Sequence, residues 1–129
     1  MTNDKLLHQI YNLADSYNVL MKGHIIISKD TNVILFAHYC KSTLFYKDFF
    51  RVTKDTFKVN NVANKLLKES KRMLKESGYQ KVWTKGVFSL YGDLRPLAVE
   101  ARFGKWGKEG IIVNEQYGTD FLITGIFYR

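Results

Sequence analysis

The sequence places a nucleophile and a base close together at one point, in His38 and Cys40. They are two positions apart, and on a β-strand this spacing puts both side chains on the same face. A thiolate needs a nearby base or a positive field to form at neutral pH, which a neighbouring histidine can supply. Both residues, however, belong to an apolar run, and free cysteine is among the most buried residue types. We therefore expect His38 and Cys40 to be packing residues.

Asp93, Glu100 and Arg102 form a second set of residues with possible chemistry. An acid in a turn, followed by Glu-x-Lys on a strand, holds Mg²⁺ in many nucleases, where two carboxylates bind the metal. Here Arg takes the place of Lys, and no further acid stands in the 16 residues before Asp93. We expect a turn Asp and a Glu–Arg surface pair instead. The three histidines and the single cysteine also lack zinc-ligand spacing, so we predict neither a metal site nor a cofactor.

Trp106 lies in a glycine-rich segment, between Lys105 and Lys108, and we predict that these three residues also bind nucleic acid or a partner. The segment is not a phosphate loop, because it does not lead into a helix N-terminus followed by Lys-Ser or Lys-Thr. An aromatic side chain in a basic setting can stack on a nucleic-acid base or enter a pocket of a partner protein. Alternatively, Trp106 folds back and covers the end of a sheet.

The strongest signal is the distribution of positive charge. The net charge of +8 lies entirely in residues 41–85, which hold twelve Lys or Arg against four acids. A surplus confined to a third of the chain indicates a positive face. The basic residues that we predict to bind nucleic acid or a partner in and near this segment are Lys58, Lys65, Lys68, Arg72, Lys75, Lys81 and Lys85. The alternative is a solvated helix surface, whose charge Glu69 and Glu76 soften.

Hydrophobic periodicity predicts the elements that position these residues. Residues 4–20 and 61–77 read as amphipathic helices, the second with the basic residues opposite its apolar side. Residues 24–28 and 33–39 form a predicted hairpin of buried strands. Residues 43–59 suggest one or two strands, although a short helix is an alternative. Further strands are predicted at 80–90, 97–103, 110–115 and 120–128.

This order, α-β-β-(β)-α-β-β-β-β, predicts an α+β fold. We expect a two-layer sandwich with a mostly antiparallel sheet and two amphipathic helices on one of its faces. At 129 residues the chain fits a single domain, residues 1–129. No stretch approaches the ~20 apolar residues that cross a membrane, and the N-terminus is unlike a signal peptide. We expect a soluble protein of the cytoplasm, or of a host cytoplasm if the source is viral.

Three functions are consistent with these features. The first is a small non-enzymatic protein whose basic face, residues 41–85, binds nucleic acid or another polyanion. The second is a regulator or inhibitor, of the kind phages and mobile elements encode, that binds a host protein with an acidic surface. The third is a small metal-dependent nuclease-like enzyme. If Trp106 and the basic helix share one face, nucleic acid is favoured; if they lie on opposite faces, a protein partner gains.

Overall fold

The computed structural model describes residues 4–40, 49–86, 94–107 and 112–129. Its elements follow the order α-β-β-α-β-α-β-β-β. The helices are α1 (Asp4–Ser16), α2 (Phe49–Glu76) and α3 (Arg95–Glu100). The strands are β1 (Met21–Ile26), β2 (Asn32–Tyr39), β3 (Val82–Lys85), β4 (Lys105–Trp106), β5 (Ile112–Val113) and β6 (Phe121–Tyr128).

Four strands form an antiparallel sheet in the order β1-β2-β6-β3. The central strands β2 and β6 pair along their whole lengths, from Asn32 opposite Tyr128 to Tyr39 opposite Phe121. The remaining strands, β4 and β5, form a separate two-stranded sheet. The chain is therefore an α+β protein with a mostly antiparallel sheet, as predicted.

The two long helices cover one face of the sheet. Ile34 and Phe36 of β2 and Ile126 of β6 point to this face, where they pack with Leu66 and Leu74 of α2. All five side chains are fully buried. Leu6, Ile10 and Ala14 of α1 complete the same cluster. Burial of these apolar side chains is the main stabilising term for this layer.

The opposite face of the sheet is covered by shorter elements. Leu35 of β2 and Phe127 of β6 point to this side, because side chains alternate along a strand. They pack with Ala98 of α3, Phe103 and Ile112 of β5. The sheet is thus apolar on both faces, which explains the continuous hydrophobic run in β2.

The predicted strand at 97–103 is wrong, because α3 occupies residues 95–100. Pro96 lies in the first turn of this helix. Backbone N–H groups there have no partner within the helix, so proline loses no hydrogen bond, and its fixed φ is already helical. Helical hydrogen bonds follow from the Ala98 N–H to the Leu94 carbonyl and from the Ala101 N–H to the Leu97 carbonyl. Only Ala98 of the helix is buried. The alternating apolar residues that suggested a strand therefore belong to a short helix that contacts the core through one residue.

The second helix is longer than predicted. It begins at Phe49, so the strand interpretation is wrong for residues 49–59; residues 43–48 lie outside the described residues. No Gly or Pro occurs between Phe49 and Glu76, so nothing in the sequence interrupts a helix there. The first helix is shorter than predicted and ends at Ser16. None of the described helices is long and apolar enough to span a membrane.

Candidate nucleic-acid interface

The outer side of α2 carries a row of basic side chains, which we call the basic stripe. All of its members are exposed: Lys58, Lys65, Lys68, Arg72 and Lys75. Their separations of 7, 3, 4 and 3 residues bring them to the same side of an α-helix. With a rise of 1.5 Å per residue, the stripe is about 25 Å long.

The buried side of α2 determines which way the basic stripe faces. Ala63, Leu66, Ser70 and Leu74 are fully buried, and Leu67 is nearly so. These residues also recur at three- and four-residue spacing, so they hold one side of the helix against the sheet. The basic side chains are therefore held pointing away from the core.

Acidic partners are unevenly distributed along the basic stripe. The Arg72 guanidinium lies 2.9 Å from Glu76 Oε1 and 3.8 Å from Glu69 Oε1. Within the part of the chain that the structure describes, Lys65, Lys68 and Lys75 have no carboxylate within salt-bridge distance. Lys65, Lys68, Glu69 and Arg72 line an open depression of about 460 Å³. The lysines therefore carry the uncompensated charge.

The basic and aromatic residues of β3 do not extend this surface. Val82 points towards α2, whereas Trp83 packs in the cluster on the opposite face. Trp83 stacks on Phe127, with ring centroids 5.4 Å apart, and the Lys85 ammonium lies 5.1 Å from the centroid of Phe127. Lys85 thus belongs to the side of the sheet away from the basic stripe. Lys81, just before the strand, is exposed.

Trp106 also lies away from the basic stripe. It belongs to β4, which pairs with β5, and Ile112 of β5 packs on the face opposite α2. The Trp106 side chain is 49% exposed, and the Arg95 guanidinium lies 5.8 Å from its ring centroid. Lys105 beside it is exposed; Lys108 lies outside the described residues. The predicted binding residues therefore divide between two sides of the molecule.

Two residues hold the β4–β5 pair in place. A Cβ at Gly104 would come within 2.5 Å of the Val113 carbonyl oxygen, so only glycine permits this approach. Asn114 Oδ1 accepts hydrogen bonds from the backbone N–H groups of Gln116 and Tyr117. Asn114 Nδ2 donates to the Phe103 carbonyl at 2.8 Å. The position of Trp106 is thus set by close backbone packing.

The nuclease-like arrangement lacks the strand that it requires. Glu100 ends helix α3, and Arg102 follows it with φ 65°, in the left-handed region. The two side chains therefore do not share the face of a strand, and Asp93 lies outside the described residues. Among the described residues, no group of His, Cys, Asp and Glu is arranged to hold a metal ion.

His38 and Cys40 are both buried, as expected of packing residues. His38 Nε2 lies 2.7 Å from Thr124 Oγ1 on the neighbouring strand β6. Desolvation by burial lowers the pKa of His38 to about 4, so its ring is neutral at physiological pH. The Cys40 N–H donates to the Asp120 carbonyl at 3.1 Å.

A cavity that sequence reasoning missed lies beside one end of the basic stripe. It has a volume of about 220 Å³ and is formed by the end of α1, the end of β2 and the outer side of α2. The described residues that line it are Tyr17, Asn18, His38, Tyr39, Lys58, Val59 and Val62. These residues come from three segments that are far apart in the sequence, so no local sequence pattern indicates the cavity. Lys58 belongs to both the cavity and the basic stripe.

Comparison with known proteins gives a likeness of fold. No protein-family model matches the chain, and no curated protein matches it in sequence. Two solved structures of epoxyqueuosine reductase are similar, with TM-scores of 0.67 and 0.65 and 14% sequence identity. One is a selenomethionine-labelled form, and the other contains an epoxyqueuosine-modified stem loop of tRNA-Tyr. Each alignment covers 96% of this chain but 45% of the reductase chain.

Proposed function

We propose that this chain is a non-enzymatic binding protein whose basic stripe contacts the phosphate backbone of a nucleic acid, with structured RNA as the preferred class. The observation that carries the proposal is the row of exposed lysines on α2 without carboxylate partners among the described residues. The helix holds the backbone positions of these lysines at fixed intervals over about 25 Å. A row of this length can follow several phosphates along one strand.

Lysine at most positions of the basic stripe favours backbone contacts over base reading. An ammonium group is a compact point charge, whereas the planar guanidinium of Arg suits bidentate recognition of guanine. The single Arg of the stripe, Arg72, is held by Glu69 and Glu76. Contacts of this kind fix position and orientation but carry little sequence information. We therefore expect recognition of shape and charge.

The choice of RNA over DNA rests on the similar fold. One of the two similar structures is of epoxyqueuosine reductase with a stem loop of tRNA-Tyr. That complex is a property of the reductase. It makes a short RNA stem loop the first probe to try with this chain.

The proposal is tested by the salt dependence of binding. Each phosphate neutralised on a duplex contributes about −0.9 to the slope of log K against log salt concentration. Three to five contacts predict a slope of about −2.7 to −4.5 for a fluorescent stem loop in anisotropy titrations. A chain that binds neither RNA nor DNA at low salt contradicts the proposal.

Binding of a protein with an acidic surface is a second candidate function. Two observations favour it: Phe57 and Val62 on α2 are 53% and 41% exposed, and Trp106 lies on the opposite side of the sheet from the basic stripe. Apolar and aromatic side chains beside cations are typical of protein interfaces. Capture of partners from the source cell, with and without nuclease treatment, separates the two functions, because only an RNA-mediated partner is lost on digestion.

A further inference from the structure

The cavity between α1, β2 and α2 combines apolar walls with a few fixed polar groups. Val59 and Val62 of α2 form one wall, and Tyr17 and Tyr39 contribute aromatic surface. An apolar cavity of about 150 Å³ is enough to bind benzene. The volume of about 220 Å³ therefore accommodates one substituted aromatic ring.

The buried polar group in this cavity is the His38 imidazole. It is 5% exposed, and its Nε2 is held by Thr124 Oγ1 at 2.7 Å. Among the described residues no partner is found for the other ring nitrogen, Nδ1. Since His38 lines the cavity and Thr124 holds its ring, the imidazole is a fixed polar group that a ligand in the cavity can contact. Pre-oriented groups of this kind give small-molecule pockets their specificity.

Asn18 and Lys58 add polar groups to the lining. Asn18 has φ 59°, a left-handed conformation that Asn adopts more readily than most residues. Lys58 supplies a positive charge, and no carboxylate lines the cavity among the described residues. The Tyr17 hydroxyl contacts Glu69 Oε2 at 3.5 Å. The cavity is therefore complementary to an anion.

We propose that this cavity is a binding site for a small planar aromatic anion, whose ring packs against Val59 and Val62 and whose acidic group pairs with Lys58. His38 Nδ1 makes the remaining hydrogen bond to the ligand. This inference does not depend on the proposed function, although Lys58 belongs to both sites, because it needs only the lining of the cavity and not the length of the basic stripe.

Sodium benzoate is the probe, and benzamide, which has the same shape without the charge, is its control. The ¹³C-methyl signals of Val59 and Val62 and the ring signals of His38 are followed by NMR during titration. We expect benzoate to shift these signals saturably and benzamide to bind more weakly. No shift at millimolar benzoate, or equal affinity for the two probes, would overturn the proposal.

Two variants test whether benzoate binds in this cavity. Val62→Trp fills the cavity from an exposed helix position and should abolish benzoate binding. Lys58→Gln should weaken it by about fivefold, the contribution of one partly exposed ion pair. Lys65→Gln, on the same helix but outside the cavity, is the matched control and should bind as the wild type does. Wild-type affinity in Val62→Trp, or equal losses in the two lysine variants, would contradict the assignment.

Discussion

The two faces of the central sheet are covered in different ways. On one face, α1 and α2 lay continuous apolar sides against β2 and β6. On the other, a helix of six residues and a two-stranded sheet also form an apolar cluster, and close contacts such as Gly104 against Val113 and Asn114 against Phe103 fix the shorter elements relative to one another. The first face depends on an apolar pattern that is repeated over several turns of helix. The second depends on individual residues, so we expect it to be more sensitive to single substitutions in its loops.

Adjacent residues on β2 test whether both layers contribute to stability. Ile34 and Leu35 are fully buried and point to opposite faces. Replacing either by Ala should lower the free energy of unfolding by about 2–5 kcal/mol, because each leaves a cavity in a packed cluster. Urea denaturation of the two variants measures this directly. A cost under about 1 kcal/mol for Leu35→Ala would mean that the shorter elements cover the sheet only loosely.

His38 should make the stability of the helix-covered face depend on pH. Its pKa is lowered to about 4 in the folded chain, from about 6.5 when unfolded. The unfolded chain therefore binds a proton first as pH falls, and stability is lost between about pH 6.5 and pH 4. The loss should reach about 3 kcal/mol at the acid end.

The measurement is the free energy of unfolding between pH 7 and pH 4 for the wild type and His38→Gln. Glutamine keeps hydrogen-bonding capacity near Thr124 but does not titrate. We expect the variant to lose this part of the pH dependence, while His8→Gln, at an exposed position of α1, keeps it. An unchanged pH dependence in His38→Gln would show that other groups cause it.

The difference between the two faces of the sheet also explains which parts of the fold the sequence could predict. The apolar sides of α1 and of residues 61–76 in α2 recur at helical spacing, so their burial and the basic stripe followed from periodicity. The long apolar run of β2 also indicated a strand covered on both faces. By contrast, Leu97, Val99 and Ala101 alternate like a strand, and only the position of Pro96 favours a helix. Ile26, expected in the core, is 54% exposed at the end of its strand.

The features of the candidate site that the sequence could not predict depend on how elements far apart in the sequence pack together. No local pattern says which side of the sheet the β4–β5 pair covers, so the separation of Trp106 from the basic stripe needed the structure. The cavity is likewise assembled from α1, β2 and α2, whose residues are up to 45 positions apart. Its histidine looked like an ordinary packing residue because its neighbours in the sequence are apolar.

Substitutions at the ends of the helices should have smaller effects on stability, of opposite sign at two of the ends. Each helix ends with the same pair of backbone hydrogen bonds around a left-handed residue: Asn18 in α1, Gly78 in α2 and Arg102 in α3. Glycine is the preferred residue there because it has no Cβ to clash. Gly78→Ala should therefore destabilise the chain by about 1 kcal/mol, and Arg102→Gly should stabilise it by a similar amount. Thermal unfolding compares the two. Destabilisation by Arg102→Gly would mean that the Arg102 side chain makes a stabilising contact on the shorter-element face.

Charge reversal inside and outside the basic stripe tests its role in binding most directly. Lys65→Glu/Lys68→Glu and Lys29→Glu/Lys105→Glu change the net charge equally, but only the first pair alters the stripe. All four positions are exposed, so stability should change by less than about 0.5 kcal/mol per site. In anisotropy titrations with a stem-loop RNA at low salt, we predict that the first variant loses at least about tenfold in affinity and about two units of salt slope. The second variant should change little. Equal losses in both variants, or none in either, would contradict a binding site on α2.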